Sequence, residues 1–194
     1  MSANISAAVF ATVSALFGSK AVSALSEADG LLLHPRGRPG SKTAEEFVAA
    51  LTVQANRAAN SLGCGSILLG QRSESDEYGD IAFWLGEGEY GEGHENNVVK
   101  VLQLQDRMSA LSKVRYIDEL SSSNSLPSTL RLSALTDEVK ALIASLSQLE
   151  NIHCFRVEHL IDDETLAVYV LLGRWSVEEM EPAWVGLVSV GVWS

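Results

Sequence analysis

The last third of the chain limits the possible folds more than any other part. Three strand-like runs follow one another: "IHCFRVEHL" at 152–160, "TLAVYVLL" at 165–172 and "WVGLVSVGVW" at 184–193. The link between the first pair is "IDDE", and between the second "GRWSVEEMEPA". Neither can comfortably house a crossover helix, so these strands are expected to pair antiparallel as a meander. The middle run is apolar on both faces, which requires helices on more than one side of the sheet.

Those helices are readable upstream. Ile5, Val9, Val13, Leu16 and Phe17 recur at helical spacing and stop at Gly18, and a second short helix is expected from Ser19 to about Ala28. Thr43-Ala-Glu-Glu46 reads as a capping box opening a helix that ends at Leu62–Gly63, with Phe47, Leu51, Ala58 and Leu62 inside. From Thr136, Val139, Leu142, Ile143, Leu146 and Leu149 mark a further helix, with Asp137 and Glu138 in its first turn. "SILLG" at 66–70 and "DIAFWLG" at 80–86 read as strands joined by an acidic hairpin turn, while "NVVKVLQLQ" at 97–105 fits strand or helix. "HPRGRPGSK" at 34–42 is a loop carrying a basic cluster, Arg36, Arg38 and Lys42. The expected class is α+β: an antiparallel or mixed sheet packed by helices. We expect one domain over 1–194, mainly helical to residue 63 and sheet-rich from 64 onward.

Composition narrows the functions. With 46% hydrophobic and 20% charged residues the chain can build a core. Its 14 basic and 25 acidic side chains leave a net charge of −11. Such a molecule is repelled by nucleic acid and by anionic lipid and attracts basic proteins, although the same charge also serves plain solubility. No run of 18 apolar residues occurs, and the apolar N-terminal stretch lacks the basic residues that open a secretion signal. Cys64 and Cys154 belong to no paired metal or redox spacing. The expectation is a soluble, cytoplasmic protein with no membrane contact.

Catalytic signatures are missing from the sequence. His153 and His159 fall on one expected strand and on one face, but six residues separate them, roughly 20 Å. No GxSxG turn occurs, and "GEGEYGEG" is too acidic to cradle a phosphate. Asp76, Glu77, Asp80, Glu87 and Glu89 offer oxygen ligands for calcium, yet not in the twelve-residue loop pattern. No enzyme activity, metal or cofactor is expected. Binding is the better expectation: residues 73–97 carry eight carboxylates and no Lys or Arg, with Tyr78, Trp84 and Tyr90 as possible anchors. The last strand runs to Ser194, so a carboxylate and a hydroxyl would be held in position there.

"VKALIASLSQLENIHCFRV", "LAVYVLLGRW" and "WVGLVSVGVWS" together resemble the C-terminal half of the nuclease A inhibitor family. "RSESDEYGDIAFW" is similar to that family's acidic stretch and the strand after it, "ADGLL" at 28–32 to the motif after its first helix, and "KVRYID" at 113–118 to a middle strand. Here residues 33–72 separate two motifs that run almost together in the family, and Gly79-Asp80 replaces a Pro-Phe pair. The resemblance implies an α/β/α sandwich that plugs the basic cleft of a non-specific, metal-dependent DNA/RNA endonuclease. It implies partner contacts from Glu74, Asp76 and Glu77 and from Trp193 and Ser194 at the chain's end, with the terminal hydroxyl and carboxylate approaching the catalytic metal of the nuclease. The alternative is a non-enzymatic interaction module of the same fold with another partner.

Overall fold

The computed structural model describes residues 3–18, 32–70, 77–117, 134–159, 165–176 and 181–192. The helices are α1 (Ala3–Phe17), α2 (Lys42–Ser61), α3 (Glu95–Val101) and α4 (Asp137–Leu146), with a 3-10 turn at Gln105–Arg107. The strands are β1 (Leu32–Leu33), β2 (Ile81–Gly86), β3 (Lys113–Tyr116), β4 (Leu149–Glu158), β5 (Leu166–Trp175) and β6 (Ala183–Val192). They form one mixed sheet in the order β1-β2-β6-β5-β4-β3, with β1 parallel to β2 and every other pair antiparallel. The expected meander is β4-β5-β6. The fold is α+β.

Each strand splits its side chains between two cores, as the period of two demands. Ala82 and Trp84 of β2, Leu171 and Trp175 of β5, and Val185 and Leu187 of β6 pack with α2 and α4. Ile81, Phe83 and Leu85, Val168, Val170 and Leu172, and Val188 and Val190 pack with α1 and α3. The sheet is therefore covered on both faces, which is why β2, β5 and β6 are largely apolar. β3 closes one edge and carries Lys113 and Arg115, charges that discourage further pairing. Arg115 Nε and Arg156 Nη2 each lie 2.8 Å from the Glu158 carboxylate. Burial alone would raise the pKa of Glu158, but these two guanidiniums hold it below the usual range.

Several local expectations need correction. Residues 66–70 form turns and not a strand, so no hairpin joins them to β2; β2 pairs with β1 and β6. The cap of α2 is Ser41, whose Oγ accepts from Ala44 N at 3.1 Å, while Glu46 pairs with Lys42 at 3.4 Å in place of closing a box with Thr43. Thr136 does cap α4, accepting from Val139 N at 3.2 Å, but the helix ends at Leu146 and Leu149 opens β4. His159 lies just beyond β4 with φ 55°, off the strand that holds His153. "KVRYID" supplies an edge strand, and "NVVKV" is helical. The helix expected at 19–28 lies outside the described residues.

Candidate functional site

The acidic stretch 73–97 is not one surface. β2 runs through its middle, six residues long, so its flanks are roughly 20 Å apart at opposite ends of the sheet. Glu77 is exposed at the end where β2 begins. β6 is antiparallel to β2, with Val188 beside Ile81, so β6 reaches Val192 at that same end. Glu87, Glu89, Glu92 and Glu95 belong to the other end, where β2 finishes and β6 starts. Among the residues put forward from the sequence, Glu74, Asp76, Trp193 and Ser194 lie outside the described ones.

Behind Glu77 is a buried polar knot. Gly79 donates its N–H to the Ala8 carbonyl at 3.1 Å, and its own carbonyl accepts from Thr12 Oγ1 at 2.6 Å and Ser189 Oγ at 3.0 Å. Asn56 Nδ2 donates to the Asp80 carbonyl at 2.7 Å, and the Ala82 N–H donates to Thr52 Oγ1 at 2.8 Å. The Asp80 carboxylate accepts from Ser66 Oγ at 2.6 Å, Ile67 N at 2.7 Å and Leu68 N at 3.4 Å. These donors explain the missing strand at 66–70: its N–H groups serve a side chain and not a ladder. Burial pushes the Asp80 carboxyl up to about 6, against the lowering effect of its three donors. Asp80 is thus a structural acid, closed to any cation. Thr12, Thr52, Asn56 and Ser189 have no counterpart in the sequence reading. The available signal was polar residues on otherwise apolar faces, as with Thr52 and Asn56 spaced four apart inside α2.

The other end is built differently. Trp84 and Tyr90 are core residues at 8% and 3% exposure, so they are not the exposed anchors that their place in the acidic stretch suggests. Trp84 meets Trp175 edge-on at 6.5 Å, and Trp175 stacks on Phe47 at 4.6 Å. Arg36, from the basic loop, donates to the Tyr90 hydroxyl at 2.5 Å and to the Glu87 carbonyl at 3.4 Å. That loop therefore ties down the acidic segment and is more than a solvated connection. An open cleft of about 690 Å³ lies beside it, lined by Gly40, Ser41, Trp84, Gly86, Glu87, Glu181 and Ala183. A hydrogen bond that protonated Glu87 donates to the neighbouring Glu181 carboxylate, together with the negative charge there, holds Glu87 above the usual carboxylate range.

The five carboxylates considered for calcium do not converge: Asp80 is sequestered, Glu77 is at one end of the sheet, Glu87 and Glu89 are at the other, and Asp76 is outside the described residues. Among the described residues no group of three or more His, Cys, Asp or Glu side chains is arranged to hold a metal ion. Both cysteines are free and buried, and burial pushes the Cys154 thiol up to about 12, which keeps it protonated. Among the described residues no helix is long and apolar enough to cross a membrane. Neither a family model, nor a curated protein sequence, nor a solved structure matches the chain.

Proposed function

We propose that this chain is a proteinaceous inhibitor of a non-specific, metal-dependent DNA/RNA endonuclease, acting in the cytoplasm by occlusion and not by catalysis. The observation that carries the reading is the shared position of Glu77 and the end of β6 at one end of the sheet. Glu77 and Val192, more than a hundred residues apart in the chain, fall at the same end of the sheet. The polar knot at Gly79–Asp80 ties that end to α1, α2 and β6, so Glu77 rides on a stiff base. Rigid presentation lowers the entropy lost on docking. Carboxylates in a basic cleft take the place of substrate phosphates, and the net charge of −11 steers the encounter while repelling nucleic acid itself.

The test is a titration of a purified sugar-non-specific nuclease with the intact chain. Nanomolar inhibition that weakens as salt is added is the expected result. Replacing Glu74, Asp76 and Glu77 together by Gln should weaken inhibition by about 100-fold or more, because each lost charge strands a cationic partner in the cleft. Removing Ser194 should weaken it further. Inhibition untouched by all four changes would remove the reading.

A second reading draws on the opposite end of the sheet. Glu87, Glu89, Glu92 and Glu95 make an acidic surface of their own, which suits an interaction module with a different basic partner. Under that reading, Gln at those four positions abolishes partner capture and the triple change at 74–77 does not.

A further inference from the structure

β3 is the last strand of the sheet, paired on one side with β4 and on the other with nothing among the described residues. The Ile117 N–H, just past its end, donates to the Cys154 carbonyl at 2.9 Å. Inward and outward groups alternate along an antiparallel pair, so Lys113 and Arg115 bond toward β4 as Ile117 does. Val114 therefore turns its N–H and C=O to the open edge, where no described residue meets them.

The side chains sort by the same alternation. Lys113 and Arg115 stand on one face with their cross-strand neighbours Glu158 and Arg156. Val114 and Tyr116 stand on the other, beside Val157 and Phe155. Val114 packs at the margin of that apolar core, and Tyr116 is 38% exposed. On the first face three cations accompany a single carboxylate, Glu158, which Arg115 and Arg156 already hold at 2.8 Å. Lys113 has no ion-pair partner among the described residues, and the Arg115 side chain is still 54% exposed. In a chain of net charge −11 this is a local excess of positive charge. Such charges oppose pairing with a second copy of the same edge. A segment that brings carboxylates is instead attracted by them.

We propose that β3 is a docking edge for an extended acidic segment of another protein, added to the sheet as a further strand. The added strand has a defined pattern. Its residue opposite Val114 shares the apolar face and is apolar; the residues on either side of it lie next to Lys113 and Arg115 and are acidic. Main-chain bonds to Val114 supply affinity, and the alternation supplies selectivity. Three strands, β6, β5 and β4, lie between this edge and β2, so the docking is independent of what the acidic flanks of β2 bind.

The test titrates the intact chain with a short acetylated peptide of alternating Glu and Val, followed by NMR and amide exchange. Binding should saturate and raise protection of the Val114 amide about tenfold or more. A peptide of the same composition with Glu and Val in separate blocks should bind about tenfold more weakly or worse, as should one alternating Lys and Val. Lys113→Glu should weaken the alternating acidic peptide by about tenfold or more. Val114→Pro removes the outward N–H at an edge position of the kind that accepts proline, and should abolish binding. Lys113→Glu alters an exposed, unpaired side chain and decides the matter even if Val114→Pro fails to fold. Absence of saturable binding, equal binding of the blocked peptide, or indifference to Lys113→Glu overturns the proposal. So does protection at Val114 that rises with the concentration of the chain alone, which would assign the edge to a second copy.

Discussion

The two ends of the sheet both carry acidic residues, Glu77 at one and Glu87, Glu89, Glu92 and Glu95 at the other, on foundations of opposite kinds. At the Glu77 end the ionisable group is Asp80, and its carboxylate is bonded to Ser66, Ile67 and Leu68. The backbone on either side of it is held by Thr12, Asn56 and Ser189. At the Glu87 end the packing is aromatic, with Trp84 edge-on to Trp175 and Trp175 stacked on Phe47. A second buried ionisable group, His153 in the middle of β4, has one long contact and an unpartnered nitrogen among aromatic rings. Saturated hydrogen bonding fixes one arrangement, because every alternative leaves a buried polar group unmet. Aromatic packing tolerates small displacement. One end is therefore fixed by directional bonds, the other by packing.

The sharpest way to break this contrast is a methyl group at Gly79. Its Cβ would lie 2.4 Å from Asn56 Oδ1, 3.0 Å from Ala8 Cβ and 3.3 Å from the Ala8 backbone. Asn56 cannot retreat without surrendering its bonds to the Thr52 and Asp80 carbonyls, both 2.7 Å. Overpacking and lost hydrogen bonds then add, and Gly79→Ala should destabilise the chain by about 3 kcal/mol or more in urea unfolding. A cost near zero would mean that the knot is slack.

A smaller, pH-dependent effect separates the two buried groups. Asp80 has a folded pKa raised from 3.8 to about 6, so the folded chain binds its proton more tightly than the unfolded chain does. Its contribution is fully present below 3.8 and is lost as pH rises through about 6. The folded pKa of His153 is lowered, so its contribution is present above 6.5 and is lost as pH falls through the folded value. Measured against Asp80→Asn, the unmodified chain should gain up to about 3 kcal/mol of stability between pH 7 and pH 4. Measured against His153→Phe, it should lose stability over the acidic part of that range. The same sign for both differences would refute the contrast.

How much of this was legible in the sequence depends on how local the physics is. The β4-β5-β6 meander was readable because its links are too short for a crossover and β5 is apolar on both faces. α4 was readable at its start, since Thr136 is a cap whose oxygen acts within its own turn. Its end was not: Leu149 continues the helical spacing, yet pairing with Trp175 draws it into β4. Ile67-Leu68-Leu69 looked like a strand because an apolar run carries no sign that its N–H groups belong to a carboxylate twelve or more residues away. β1 is two residues long, too short for any period, and is defined by parallel pairing with β2. The candidate site suffered from the same blindness. Residues 73–97 are contiguous in sequence, and only the extended length of β2 separates them into two surfaces.

The smallest predicted effect is the counterpart of the first. Gly91 is the glycine at the aromatic end, and a Cβ there would lie 3.5 Å and 3.7 Å from two carbons of Trp184, which is ordinary van der Waals contact. Its φ is not in the left-handed region, unlike Gly86 at 70° and Gly93 at 85°. Alanine at this position therefore meets neither a clash nor a strained backbone, and it lowers the entropy of the unfolded chain. Gly91→Ala should change stability by no more than about 0.5 kcal/mol, with a slight gain the expected sign. A loss as large as that of Gly79→Ala would show that the two ends are equally rigid, leaving the distinction between a bonded end and a packed end without physical basis.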